Sequence, residues 1–139
     1  MSDSELIGRV RNSMRRQCQE RGYAAPVDTL IEIGALPEKK HLAWRYGQVP
    51  YLEKVCVLNL RELNVVLKEM NSYAAYKEWK PSWCCYKQWG CKKEFGHKRP
   101  VVPLCFSKSG DPVMEKRYST HYVDRKRIAE LKAQKASGS

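Results

Sequence analysis

Soft metal ligands crowd one stretch of the 139-residue chain. Cys84, Cys85, Cys91, His97 and Cys105 fall within 22 residues, and thiolate sulfur and imidazole nitrogen are the donors that suit tetrahedral zinc. Counted from Cys85, the gaps to Cys91, His97 and Cys105 are five, five and seven residues. A structural zinc site usually starts from a tight Cys-x2–4-Cys knuckle, and that knuckle is missing here. Adjacent residues on a strand point to opposite faces, so Cys84 and Cys85 could supply only one ligand between them. The zinc reading is therefore Cys85, Cys91, His97 and Cys105. Free thiols serving as small hydrophobes are the simpler alternative. No motif points to another cofactor.

Other residues offer anion or proton chemistry. Ser107-Lys108-Ser109-Gly110 combines hydroxyls, a cation and a glycine, which could cradle a phosphate as a backbone nest does. It lacks the Gly-x4-Gly-Lys spacing of a P-loop, and a polar turn is the plainer expectation. His121 lies among hydroxyls in Ser119-Thr120-His121-Tyr122, with Glu115 the nearest acidic candidate to orient it. Two short helices, 26–33 and 37–46, meet at Gly34 and suggest a helix-turn-helix presenting Lys39, Lys40 and Arg45. That motif wants an apolar residue where Lys40 stands, so ordinary core-packing helices are expected instead. Arg45 sits between Trp44 and Tyr46, where a cation can meet phosphate while rings stack on bases.

The charge is the broadest signal. The chain carries 26 Lys/Arg and 15 Asp/Glu, a formal net charge of +11. Residues 1–79 hold 12 basic and 10 acidic residues, a net of +2, and residues 80–139 hold 14 and 5, a net of +9. The clusters are Lys92-Lys93, Lys98-Arg99 and Arg125-Lys126-Arg127, with Lys108, Lys116 and Arg117 between them. Tyr86, Trp89, Phe95 and Tyr118 are interleaved. Cations beside aromatics suit nucleic acid through phosphate contacts and stacking, and a basic helix at 123–132 suits duplex phosphates.

Periodicity and punctuation give the elements that must position these groups. Asp3 or Ser4 caps a helix reaching about Arg21, with Leu6, Val10, Met14 and Cys18 on one face and Gly22 beyond its end. Pro26, Pro37 and Pro50 open three short helices, the first two closed by Gly34 and Gly47. Asn59 or Leu60 begins a longer helix with an apolar stripe of Leu60, Leu63, Leu67, Met70 and Ala74, running to Trp79. Residues 83–89 and 101–106 read as short strands, Pro103 favouring an edge. The expected fold is α+β: four or five short helices, a small antiparallel sheet or hairpin, and a C-terminal helix. All of it fits one domain over 1–139, in which residues 1–80 are helical, 81–122 are basic and contain the strands, 123–135 form a helix and 136–139 a frayed tail.

The segments Trp44-Arg45-Tyr46-Gly47-Gln48-Val49-Pro50-Tyr51-Leu52-Glu53 and Phe106-Ser107-Lys108-Ser109-Gly110-Asp111-Pro112, with Thr120-His121-Tyr122, resemble a family of small bacterial proteins. The likeness covers about residues 26–123. It implies a bacterial, cytosolic setting and carries over no activity, cofactor, partner or site residue.

No apolar run approaches the ~20 residues that cross a bilayer, so no membrane partner is expected. Met1-Ser2-Asp3-Ser4-Glu5 lacks the basic and apolar regions of a secretory signal, which points to the cytoplasm and reduced cysteines. No paired-carboxylate motif, nucleophile elbow or nucleotide loop argues for an enzyme. The expected function is non-enzymatic nucleic-acid binding, DNA or RNA, mainly through the backbone. The candidate contacts are Arg45, Lys92, Lys93, Lys98, Arg99, Lys108, Arg117, Arg125, Lys126 and Arg127. An adaptor or structural protein that binds an acidic partner protein is the alternative.

Overall fold

Apolar spacing and two well-made ends define the first helix, α1 (Asp3–Arg21). Leu6, Val10, Met14 and Cys18 are all buried along one face. The cap is Ser2 rather than Asp3 or Ser4: its hydroxyl accepts from the Glu5 amide at 3.2 Å. Asp3 and Glu5 are thereby left in the first turn, where the helix dipole favours acids. At the other end Gly22 takes φ 84°, and its N–H donates to Cys18 O at 2.8 Å. The computed structural model describes residues 2–90 and 102–137.

After Gly22 come β1 (Tyr23–Ala24), α2 (Pro26–Glu32) and α3 (Glu38–Arg45). A 3-10 helix over Leu52–Val55 follows, where the sequence suggests an ordinary helix after Pro50. Next is α4 (Leu60–Tyr76), opened by a capping box in which Asn59 and Glu62 satisfy each other's backbone amides. Its buried face is Leu63, Val66, Leu67, Met70, Tyr73 and Ala74. Leu60, expected on that stripe, is 63% exposed at the first position of the helix. The helix stops at Tyr76, three residues before Trp79, in a turn where Glu78 N–H donates to Ala75 O and Trp79 N–H to Ala74 O. Glu78 there adopts φ 61°, in the left-handed region.

The sheet has the order β1-β3-β2, both pairs antiparallel, with β2 (Lys80–Trp83) and β3 (Thr120–Val123). The fold is α+β with a C-terminal helix, as the sequence suggests, but the strands lie elsewhere. Of the expected strand 83–89 only Trp83 belongs to β2; residues 84–86 leave the sheet so that Tyr86 can enter the core. The described residues of 101–106 pair only loosely: Lys87 and Pro103 form a lone bridge, flanked by Leu104 N–H to Tyr86 O and Gln88 N–H to Val102 O. Pro81 lies on edge strand β2, where a residue without an N–H is tolerated.

Two elements go beyond the sequence expectation. One is α5 (Pro112–Ser119), capped by Asp111 with Pro112 in its first turn. The other is β3, the central strand, which follows α5 without a turn. Last comes α6 (Arg125–Ser137), which begins and ends two residues later than expected; Asp124 N–H donates to Gly22 O, and Ile128 packs on Gly22.

A single core of buried residues runs from Leu6 to Tyr122. Its dense end is aromatic. Trp44 and Phe106 have ring centroids 5.1 Å apart, Tyr86 and Phe106 5.2 Å, and Phe106 stacks on Tyr118 at 5.6 Å. The buried Trp44 indole donates to Cys105 O at 2.8 Å, which satisfies the polar atom that a core Trp brings with it.

Candidate functional site

Three elements meet in a basic groove of about 580 Å³: the last turns of α1, the turn from α4 to β2, and the start of α6. Arg15, Lys77, Lys80, Arg125 and Lys126 line it, and Trp79 contributes an aromatic surface. All five cations are exposed, and none forms an ion pair among the described residues. Arg15 is held by Asn12 and by the Tyr73 hydroxyl at 3.2 Å. Two acids share the walls, Glu78 and Asp124, and Asp124 accepts from Arg127 N–H at 3.1 Å within the first turn of α6. The excess of uncompensated positive charge is what a phosphate backbone would meet.

The other basic candidates divide. Arg127 is a structural anchor: its guanidinium donates to Gln19 O at 2.9 Å and to Glu130 at 3.1 Å, and its side chain is only 15% exposed. Arg117 donates to Asn64 at 3.2 Å. Lys108 lines a separate groove with Arg61 and Asn64. Lys92, Lys93, Lys98 and Arg99 lie outside the described residues. Arg45 is not held out for a phosphate. Its guanidinium lies 4.5 Å from the Tyr86 ring centroid, 4.6 Å from Trp89 and 5.5 Å from Trp44, and donates to His41 Nε2 at 3.2 Å. Each such cation–π contact contributes about 0.5–2 kcal/mol, so the box around Arg45 stabilises the fold.

The helix pair does not make a reading head. α2 packs on α1 and α5, and α3 on the 3-10 helix, whereas a helix-turn-helix needs its two helices packed on each other. Lys39 and Lys40 remain exposed on α3.

The turn 107–110 is an anion nest already filled by the protein's own carboxylates. Glu115 accepts from the Phe106 amide at 2.9 Å, and from the Ser107 amide and hydroxyl, each at 2.6 Å. Glu53 accepts from the Lys108 amide at 2.9 Å and from Tyr118 OH at 2.8 Å. A phosphate would have to displace both, so this turn is not a phosphate cradle. Glu115 is consequently not the partner of His121.

His121 instead faces a thiol. The Cys84 sulfur lies 3.3 Å from Nδ1, and the Tyr86 hydroxyl 2.8 Å from Nε2. The imidazole also stacks on Tyr23, ring centroids 5.4 Å apart and 5° from parallel. The register explains the meeting. Ser82 opposes His121 across the sheet, and the chain leaves β2 after Trp83, bringing Cys84 and Tyr86 round the imidazole. Burial holds the His121 pKa below its ordinary value and raises those of Cys84 and Tyr86, so all three are neutral at neutral pH.

The proposed zinc ligands are only partly in view. Cys85 is exposed, and the Cys105 thiol donates to Ser107 O at 3.5 Å. Cys91 and His97 lie outside the described residues, and among the described residues no three His, Cys, Asp or Glu side chains gather as ligands. No helix among them is long and apolar enough to cross a membrane. Comparison with protein-family models, with curated proteins and with solved structures gives no match to this chain.

Proposed function

We propose that the protein binds nucleic acid, chiefly through the phosphate backbone, and that the groove of Arg15, Lys77, Lys80, Arg125 and Lys126 is the contact surface. The observation that carries this reading is the convergence on one groove of five cations that form no ion pair among the described residues, in a chain whose last 60 residues carry +9. Backbone contacts fit better than base reading, because lysines and arginines spread over three elements present point charges to a polyanion. The boxed Arg45 and the separated helices α2 and α3 offer no preformed fork for base edges.

Binding to duplex DNA, single-stranded DNA and RNA across a salt series tests this. Affinity should fall steeply with salt, as counterion release requires. Arg125→Ala with Lys126→Ala should weaken all nucleic-acid targets alike and lower the logarithmic salt slope by about two, roughly one for each phosphate interaction removed. Lys40→Ala should change little. A flat salt response sinks the proposal, and equal affinity for polyglutamate would favour the acidic-protein alternative.

A further inference from the structure

Cys84 lines a groove of about 570 Å³ that shares no lining residue with the basic one. Trp83, Pro103, Leu104, Phe106 and Pro112 make its surface mainly apolar, and its size suits a small ligand. The Cys84 side chain is half-buried, with its sulfur 3.3 Å from Nδ1 of an imidazole that does not itself line the groove. A nucleophile facing a cavity, with a base behind it and a third group on the base's far nitrogen, is the arrangement of assisted nucleophilic catalysis. Tyr86 OH, 2.8 Å from Nε2, is that third group, and Tyr23 fixes the plane of the ring.

We propose that Cys84 is a nucleophilic thiol, with His121 as its base, that accepts apolar acyl groups from thioesters entering this groove. As Sγ attacks the thioester carbonyl, its proton passes to His121 Nδ1. The bond to the leaving sulfur then breaks, and that sulfur takes the proton from Nδ1. A new thioester forms on Cys84, one thiol is released, and the imidazole returns to its neutral state. No oxidant or metal is required. In the tautomer that serves this step, Nε2–H donates to the Tyr86 oxygen. Exposed Cys85, one residue on, lines the same groove but has no such base among the described residues, so it serves as an internal control for access to the groove.

The pH profile separates this from ordinary thiol reactivity. An unassisted thiol reacts through its thiolate, so its rate climbs about tenfold per pH unit below its pKa. An assisted thiol follows the neutral base and levels off once that base is deprotonated. Around His121 stand Cys84, Tyr86 and Tyr23, with Asp28 favouring its charged form and Arg21 and Arg45 opposing it; burial is the largest influence and keeps it neutral at pH 7.

The probe is the butanoyl thioester of N-acetylcysteamine, with adducts located by peptide mass spectrometry. Cys84 should acquire one butanoyl group faster than Cys85, at a rate nearly constant from pH 7 to 8. His121→Gln should slow it by about 10²-fold or more and leave the labelling of Cys85 unchanged. Faster labelling at Cys85, a tenfold rise at Cys84 from pH 7 to 8, or no adduct on Cys84 overturns the proposal. The first two comparisons use the unmodified protein, so they decide the matter even if His121→Gln does not fold.

Discussion

Single carboxylates decide more of this structure than its many cations do. Glu115 gathers the Phe106 amide, the Ser107 amide and the Ser107 hydroxyl, three donors that would otherwise lie unpaired beside the aromatic core. Glu115→Ala should destabilise the protein by about 2–3 kcal/mol, the cost of stranding partly buried donors, seen as a lower urea midpoint at unchanged slope. His121 and His41 make a second prediction, this time on pH. Burial first, and then neighbouring arginines, hold both imidazoles below their ordinary pKa. The unfolded chain therefore binds more protons in that range. Their contribution is complete above about pH 6.5 and is lost as pH falls through the folded values. Thermal unfolding should occur at lower temperature at pH 5 than at pH 7, above the range where carboxylates titrate, and the drop should shrink in His121→Gln. Neither role is legible in the residues alone. The sequence flags Glu115 and His121 as reactive types, but pairs Glu115 with the wrong group. What joins His121 to Cys84 is a strand register and the exit of the chain after Trp83.

At the scale of elements, legibility follows punctuation. Pro26 and Pro37 at helix starts, and Gly22, Gly34 and Gly47 past helix ends, carry their local conformations with them, so α1 to α3 lie close to where the sequence puts them. Elements without such marks are the ones the sequence misplaces. β3 follows α5 with no turn residue between, and four residues are too few to show alternation. The start of α5 does carry a signature, Asp111-Pro112 with Glu115 three residues after the proline, but the turn chemistry of Ser107–Pro112 masks it. The end of α4 departs from the usual pattern in an informative way. Glu78 occupies the left-handed position that glycine normally fills, at φ 61°. Glu78→Gly should relieve that strain and raise stability by about 0.5–1 kcal/mol after the greater chain entropy of glycine is counted. The same change removes an acid from the wall of the basic groove, so nucleic-acid affinity at low salt should rise. Stabilisation without tighter binding would detach Glu78 from the contact surface.

Across the whole molecule the charge asymmetry becomes a groove only because α6 is docked. The sequence locates the positive charge in the last 60 residues. It does not reveal that Arg125 and Lys126 come to lie beside Arg15, Lys77 and Lys80, which belong to earlier elements. Docking converges on Gly22. Asp124 N–H donates to Gly22 O at 2.8 Å, and Arg127 grips Gln19 O one turn earlier on α1. A Cβ on residue 22 would lie 2.3 Å from Ile128 Cγ1 and 3.3 Å from its Cδ1, so Ile128, which packs α6 onto this corner, would have to shift. Gly22→Ala therefore carries two costs, about 1–2 kcal/mol for a side chain at φ 84° and about 1–3 kcal/mol for the overlap. Relief comes from lifting α6 away from α1. The basic residues remain in the chain but no longer face one another, so net charge is unchanged while the groove is dispersed. Gly22→Ala should thus weaken nucleic-acid binding at low temperature, where the protein is still folded, and lower the salt slope toward that of the Arg125→Ala, Lys126→Ala variant. Hydrogen exchange should show α6 amides losing protection while those of α4 keep it. If binding and slope stay at wild-type values despite an undocked α6, affinity depends on total charge rather than on the groove, and the proposed contact surface is wrong.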